Sequence, residues 1–284
     1  MLSKPYRGRL APSPTGLLHL GHARTFLIAA QRAAAGTLIL RNDDLDTQRS
    51  RPEFTQAMLE DLNWLGIHWQ EGPQADGTEP GPFAPYAQSQ RAAFYKAAFQ
   101  QLKTTGAIYP CTCSRKDLLN APHAPHAEDE DEPIYPGTCR NKTVEETGEA
   151  AWRFRVTDGE EVRFEDALLG PQTFTAGRDF GDFVIQRRDS VPSYQLACIV
   201  DDAAMQITEV VRGRDLLRST ARQILLLRAL GHAIPTYAHV ELMRNEQGQR
   251  LAKRDSARSL RQLRESGLTS DEVRAMSLAE SATK

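Results

Sequence analysis

Arg7-Gly-Arg-Leu-Ala-Pro-Ser-Pro-Thr-Gly-Leu-Leu-His-Leu-Gly-His22 changes character twice within sixteen residues. Arg7–Ala11 reads as a short strand, and the turn-formers from Pro12 to Gly16 predict a loop. Helical periodicity starts near His22 and continues to about Ala35. Gly36 ends it, and Thr37-Leu38-Ile39-Leu40 predicts a second strand. Strand, loop, helix, strand is a βαβ unit, and such a unit implies a parallel sheet. His19-Leu20-Gly21-His22 falls where the loop hands over to the helix. Glycine lets a backbone come close to a nucleotide. Two imidazoles three apart can bond phosphate oxygens at a helix N-terminus, where the dipole already favours anions. Taken alone, the pattern also fits ordinary turn histidines.

Outward from that unit, a helix is predicted from about Pro52 to Leu65, with proline in its first turn and Gly66 at its end. Another is predicted from about Ser89 to Thr105. Residues 122–133 are acidic, proline-rich and nearly free of large apolar side chains, so a mobile loop is expected there. Ala151–Val156 and Glu161–Glu165 alternate in a β-like way, Phe183–Gln186 and Ser193–Val200 look like buried strands, and Leu216–Leu230 reads as a helix stopped by Gly231. The expected architecture is an α/β nucleotide-binding domain built from residues 1–105 and 166–240. A β-rich insertion, 106–165, splits it, and residues 241–284 form a basic loop and a short helical tail.

The bulk numbers are compatible with this. The chain has 284 residues, 25% of them charged and 40% apolar, with a formal net charge of −2, ordinary values for a globular protein. The basic N-terminus, Met1 to Arg9, is not followed by an apolar stretch, so no export signal is expected. No run approaches the roughly 18–20 apolar residues of a membrane span. A cytoplasmic protein with no membrane partner is the expectation, acting as a monomer. The net charge gives no support for nucleic-acid binding, but its distribution is uneven. Arg212, Arg214, Arg218, Arg222 and Arg228 crowd one segment; Arg250, Lys253, Arg254, Arg258, Arg261 and Arg264 crowd another. Such stripes can track phosphates, and equally can be solvated helix faces. Four cysteines in a chain of this length argue against a disulfide scaffold; three of them cluster as Cys111, Cys113 and Cys139, for which metal binding is the better reading. Cys198, alone in an apolar run, reads as a small buried hydrophobe.

A second basic element completes the chemistry. Arg250-Leu-Ala-Lys-Arg-Asp255 follows a glycine-bearing segment, and a flexible basic loop can close on a triphosphate and neutralise charge that builds during attack at the α-phosphate. With Arg9-Leu-Ala-Pro-Ser-Pro-Thr-Gly16 directly before the histidines, three features occur together, in order and in matching structural contexts.

On these residues the sequence closely resembles the class I glutamyl- and glutaminyl-tRNA synthetases. The stretch from Arg9 to Arg24 matches their HIGH signature. Gly181–Asp189, Pro192–Asp202 and Ile207–Leu217 match their middle block, and Arg250–Asp255 is similar to their KLSKR loop. The similarity runs from about residue 7 to residue 258. It implies a Rossmann-like catalytic domain with helices on both faces of a parallel sheet, and an ATP-dependent ligase that releases AMP and pyrophosphate.

The resemblance also implies roles. Arg9, Leu10, Ala11, Pro12 and Ser13 fall on the run that lines the glutamate pocket. Tyr194 and Arg212 match the positions that hold the substrate, a guanidinium fork suiting a carboxylate. Asp43 stands where the family has glutamate in an Arg-x-Glu-Asp run that binds the α-ammonium. His19, Gly21 and His22 face the nucleotide and Lys253 its phosphates, so His19, His22 and Lys253 are the catalytic candidates. Mg²⁺ is expected with ATP. Cys111-x-Cys113 followed by Tyr135-x-x-x-Cys139 resembles the family's zinc site of three cysteines and a tyrosine, implying one structural Zn²⁺, although His123 or His126 could replace the tyrosine.

The departures are equally specific. Asp43 is one methylene shorter than glutamate, Arg250 and Ala252 replace lysine and serine, Ser190 replaces a usual glycine, and Glu241 falls where proline is usual. Only 29 residues follow Asp255, too few for an anticodon-binding domain. That length, with the Tyr194-Gln195-Leu196-Ala197 wording, resembles the branch that attaches glutamate to queuosine in the anticodon of tRNA(Asp). The expected reaction is tRNA-independent formation of glutamyl-adenylate, then transfer to that wobble nucleoside, with the tRNA(Asp) anticodon arm as partner. The alternatives are a truncated enzyme charging the 3′ end of tRNA(Glu), and a non-catalytic tRNA-binding relative.

Overall fold

The computed structural model describes residues 5–114, 117, 134–142, 150–243 and 258–279. The opening βαβ unit is β1 (Arg7–Leu10), α1 (Leu20–Arg32) and β2 (Thr37–Leu40), with the strands paired in parallel and Leu10 opposite Leu40. Gly36, which ends the helical pattern, has a packing reason to lack a side chain: a Cβ there would lie 2.5 Å from the Tyr6 carbonyl oxygen. Two helices follow, α2 (Pro52–Trp64) and α3 (Ala92–Thr104). Proline takes the first turn of α2, where its missing N–H has no intrahelical partner to lose.

The middle of the chain is β3 (Ile108–Cys111), β4 (Ala151–Phe154), β5 (Glu161–Asp166), β6 (Gly170–Thr175) and β7 (Phe183–Gln186). β3, β4 and β7 form one antiparallel sheet. β5 and β6 form a hairpin that attaches to the edge of the second parallel pair through Asp166 and Tyr237. Strands from both sides of residue 165 therefore share sheets. The second half continues with α4 (Tyr194–Ala204), β8 (Glu209–Gly213), α5 (Leu217–Leu230) and β9 (Thr236–Val240), and closes with α6 (Leu260–Glu265) and α7 (Ser270–Leu278). β8 and β9 are parallel, and the Thr208 N–H donates to the Arg7 carbonyl at 2.9 Å, which sets β8 beside β1. The α/β class with parallel strands is the one the sequence predicts, as are the helical tail and the end of α5 at Gly231, which the structure shows to be a left-handed cap.

One element differs. Residues 193–200, expected as a strand, are instead the N-cap, Ser193, and the first seven residues of α4. Every residue from Leu196 to Asp202 is buried, so the helix has no polar stripe along that run, and a short apolar run does not distinguish a buried helix from a buried strand. Two apolar cores flank the sheet. One gathers α3, α4 and α5, including Tyr95, Leu102, Ile199, Ile224 and Leu227; the other joins α1 and α2 to α6 and α7, including Leu27, Leu62, Leu260 and Val273. Among the described residues, no helix is long and apolar enough to cross a membrane.

Candidate active site

A cleft of about 1230 Å³ opens where β1, β8 and the start of α1 meet α4. Its first wall is the turn after β1. Arg9, Ala11, Pro12 and Ser13 line it, and the Pro12 carbonyl accepts the Asp43 backbone N–H at 3.0 Å, bringing Asp43 to the same wall. Leu10 does not line the cleft. It is 1% exposed and packs into the core beneath, because the strand alternates and Arg9 takes the face toward the cleft.

The second wall is the N-terminus of α1. His19 is its N-cap: Nδ1 of His19 accepts the Gly21 N–H at 3.2 Å, and Nδ1 of His22 accepts the His19 N–H at 3.3 Å. This is a capping box made of imidazoles, with ring centroids 3.9 Å apart. Because both Nδ1 atoms accept, a neutral ring in either position carries its proton on Nε2. A Cβ at Gly21 would press to 3.1 Å of the His19 ring, so a side chain there would have to shift the cap. Lys253 and its loop lie outside the described residues. On either side of them, Met243 lines the cleft and Ser259 forms a β-bridge with His19.

The third wall carries Tyr194 and Arg212. Arg212 is 4% exposed, and its Nη1 donates to the Tyr194 hydroxyl at 3.1 Å and to Gln223 Oε1 at 2.8 Å. Its Nη2 donates to Thr220 Oγ1 at 2.6 Å, and its Nε points at His239 Nε2 at 3.4 Å. Tyr194 is 41% exposed toward the cleft. The arginine run that opens with Arg212 is thus not one surface stripe. Arg212 and Arg222 turn inward, Arg222 stacking near Phe183, while Arg214 pairs with Glu241 and Arg228 with Glu160.

Beneath the first wall lies a buried ionic cluster. Arg41 donates to both oxygens of Asp43, at 2.6 and 3.2 Å, and to Asp202 Oδ1 at 2.6 Å; Arg9 reaches Asp202 Oδ1 at 3.3 Å and the Val211 carbonyl at 3.1 Å. Burial opposes ionisation of both carboxyls. At Asp202 the two guanidiniums prevail and its pKa is lowered; at Asp43 burial prevails over Arg41 and pushes the carboxyl up to about 6. Cys198 borders this cluster, with Asp202 Oδ2 at 3.5 Å from its sulfur. Arg41, Asp202, Asp166 and His239 were not marked by sequence reasoning. Their one signal was polarity within apolar runs, Asp201-Asp202 after Cys198-Ile-Val and His239 between Ala238 and Val240.

A second constellation lies at the end of β3. Sulfurs of Cys111, Cys113 and Cys139 are all within 4.8 Å of one another, with Cys113 and Cys139 3.6 Å apart. The Tyr135 hydroxyl is 3.3 Å from the Cys111 sulfur and 3.6 Å from that of Cys113. His123 and His126 lie outside the described residues. A tetrahedral zinc with thiolates at about 2.3 Å needs sulfurs roughly 3.8 Å apart, so the donor set and its spacing fit a metal. Burial pushes the Cys113 thiol up to about 11. Cys139 is brought down to about 7: burial works against its thiolate, but hydrogen bonds involving the Thr112 backbone and Tyr135 outweigh it. Asp182 braces this knuckle from outside. It accepts from Tyr109 (2.5 Å), from Arg140 (2.7 and 2.8 Å) and from the Val156 N–H (2.8 Å). Ser190, at the tip of the turn after β7, has φ of 63°, the left-handed region that favours glycine.

The model of the catalytic domain of class I tRNA synthetases (E and Q) matches residues 6–276. A protein of Symbiobacterium thermophilum named glutamyl-Q tRNA(Asp) synthetase is 47% identical over 275 residues, covering 94% of this chain and 83% of that protein. A protein of Nitrosococcus oceani named glutamate–tRNA ligase 2 is 45% identical over 268 residues, 91% of this chain but 56% of that one. Among solved structures, the glutamate tRNA ligase of Elizabethkingia meningosepticum in complex with its amino acid superposes with a TM-score of 0.75 at 30% identity, over 89% of this chain and 52% of that one. The chain belongs to the class I glutamyl- and glutaminyl-tRNA synthetases, a family of ligases.

Proposed function

We propose that this chain joins L-glutamate to ATP without tRNA and passes the glutamyl group to queuosine at the wobble position of tRNA(Asp). The observation that carries the reading is the convergence, in one cleft, of a histidine-capped helix N-terminus and a buried guanidinium held beside Tyr194. The first suits phosphates, the second a carboxylate. In this reading Arg212 and Tyr194 take the side chain of glutamate, Asp43 its α-ammonium, and Arg9 to Ser13 the remaining wall. His19, Gly21, His22 and Lys253 take the nucleotide. The α-carboxylate attacks the α-phosphate of Mg-ATP, an O–P bond forms as the bond to pyrophosphate breaks, and a hydroxyl of the modified nucleoside then attacks the mixed anhydride, releasing AMP. Positioning and charge neutralisation supply the catalysis.

Cys111, Cys113, Tyr135 and Cys139 would hold one Zn²⁺, which fixes the knuckle structurally. The acceptor assignment is supported by the relative that this chain matches over most of its length. The protein acts as a monomer in the cytoplasm, with the anticodon arm seated over the cleft. Glutamate-dependent exchange of pyrophosphate into ATP without tRNA tests the first step. Transfer to tRNA(Asp) with and without queuosine tests the second, and the product should survive removal of the 3′ CCA end. A glutamyl group lost with that end would refute the acceptor.

A further inference from the structure

Arg212 is held from behind by acceptors that are all uncharged: Thr220 Oγ1, Gln223 Oε1 and His239 Nε2. Among the described residues, no carboxylate lies within ion-pair distance of it. A carboxylate does stand one residue further back. Asp166, 2% exposed at the end of β5, accepts the His239 Nδ1 proton at 2.5 Å through Oδ2. Its Oδ1 accepts backbone N–H groups of Leu168 and Leu169 at 3.0 Å and of His239 at 3.1 Å. Backbone N–H groups only donate, so this carboxyl serves as an acceptor on every side. Hydrogen bonds from His239 keep it ionised against the cost of burial. The proton between the pair therefore belongs to Nδ1, which leaves the Nε2 lone pair for Thr220 at 2.8 Å and Arg212 at 3.4 Å. Burial and the nearby Arg212 charge lower the imidazole's pKa to about 4, so the ring is neutral at working pH.

We propose that Asp166 and His239, with Thr220, are positioning residues for amino-acid recognition. They orient the Arg212 guanidinium while keeping its own counter-ion one ring away, so that its charge is left for the substrate carboxylate. The inference rests on the reading of the cleft as a glutamate site. A direct Asp166–Arg212 pair would hold the guanidinium as firmly but would compete with the substrate. The neutral imidazole passes on the orientation and not the charge. The two partners come from β5 and β9, the two inner strands of a four-stranded sheet, hydrogen-bonded at Asp166 and Tyr237, so the relay is built into the middle of that sheet.

Asp166→Asn is the sharpest test. Its carbonyl can keep the three backbone N–H groups, while its amide nitrogen faces Nδ1 and donates, moving the ring proton to Nε2, where it opposes Thr220 and Arg212. The expected result in pyrophosphate exchange is a glutamate KM raised about 10–100-fold, the scale of losing a hydrogen bond to a charged group. The ATP KM should stay within about threefold. Thr220→Val should raise the glutamate KM similarly, and Thr220→Ser should restore it, which decides the matter if Asp166→Asn fails to fold. Arg212→Ala separates the two readings. Wild-type protein without glutamate-dependent exchange, or Arg212→Ala at wild-type glutamate KM, would overturn the glutamate site and this inference with it. With both of those intact, a glutamate KM unmoved in Asp166→Asn and Thr220→Val, or moved equally with that of ATP, overturns the positioning role alone.

Discussion

Asp43 gives a prediction in which the pH scale itself is the probe. Its carboxyl is buried against Arg41, and burial outweighs that partner, lifting its pKa from 3.8 to about 6. If the ionised carboxylate binds the α-ammonium of glutamate, kcat/KM for glutamate must fall about tenfold per pH unit below that value, leaving roughly a tenth at pH 5. Any other group that titrates in the same range acts on both proteins alike. The informative quantity is therefore the ratio of wild type to Asp43→Asn, in which shared titrations cancel. At pH 8 the ratio should be large, since removing one charged partner of a buried pair costs about 2–5 kcal/mol, tens to thousands of fold. Below pH 6 it should shrink tenfold per unit, because wild-type Asp43 is itself becoming neutral. Pyrophosphate exchange at subsaturating glutamate from pH 8 to 5 reads this directly. A ratio constant across that range, or an Asp43→Asn enzyme as active as wild type, would refute the assignment.

Arg212→Ala should nearly abolish glutamate use, by tens to thousands of fold, while leaving ATP binding close to normal; glutamate kinetics preserved within a few fold would show the pocket is elsewhere. Metal analysis of protein purified without chelators should find about one zinc per chain, and Cys111→Ser should release it and raise amide exchange in β3 and β4; a zinc-free protein with a protected knuckle would refute the metal. Asp61, fully buried on α2, has no hydrogen-bond donor on either oxygen among the described residues, and burial raises its carboxyl to about 6. A folded value above the unfolded one means its contribution to stability is present below pH 3.8 and lost as pH rises through 6. Relative to wild type, Asp61→Asn should gain about 2–3 kcal/mol between pH 4 and pH 8 in denaturant unfolding; a difference that does not move with pH would sink the argument.

Local signals were legible wherever one residue did one thing. The sequence pattern placed β2 and β7 to the residue, β1 and α2 to within one residue, and α1 to within three. The cysteine cluster and its tyrosine were readable because their spacing is short and their chemistry narrow. The misread α4 shows the opposite case: its seven residues from Leu196 to Asp202 are all buried, and a short apolar run does not tell a helix from a strand. The supports of the cleft were invisible for a different reason. Asp166 and His239 are 73 residues apart, and Arg41 and Asp202 are 161 apart, so neither pairing leaves a local pattern. Leu10 stands between Arg9 and Ala11, which line the cleft, yet faces the core, which only the strand's alternation against a known cleft could reveal.

The bracing by Asp182 bears on how this chain could be taken apart. The cysteine knuckle and the two strands beside it look like a cassette that could be cut out or exchanged between relatives. Their cornerstone, however, belongs to the strand beyond them. Asp182 immediately precedes Phe183 and Val184, which line the cleft. Excising residues 106–165 would strip that carboxylate of Tyr109, Arg140 and Val156 while leaving it attached to the cleft wall, and would open the edge of β7 where β4 had paired. A graft that respects the architecture must carry residues through Gln186, so that the knuckle travels with its anchor.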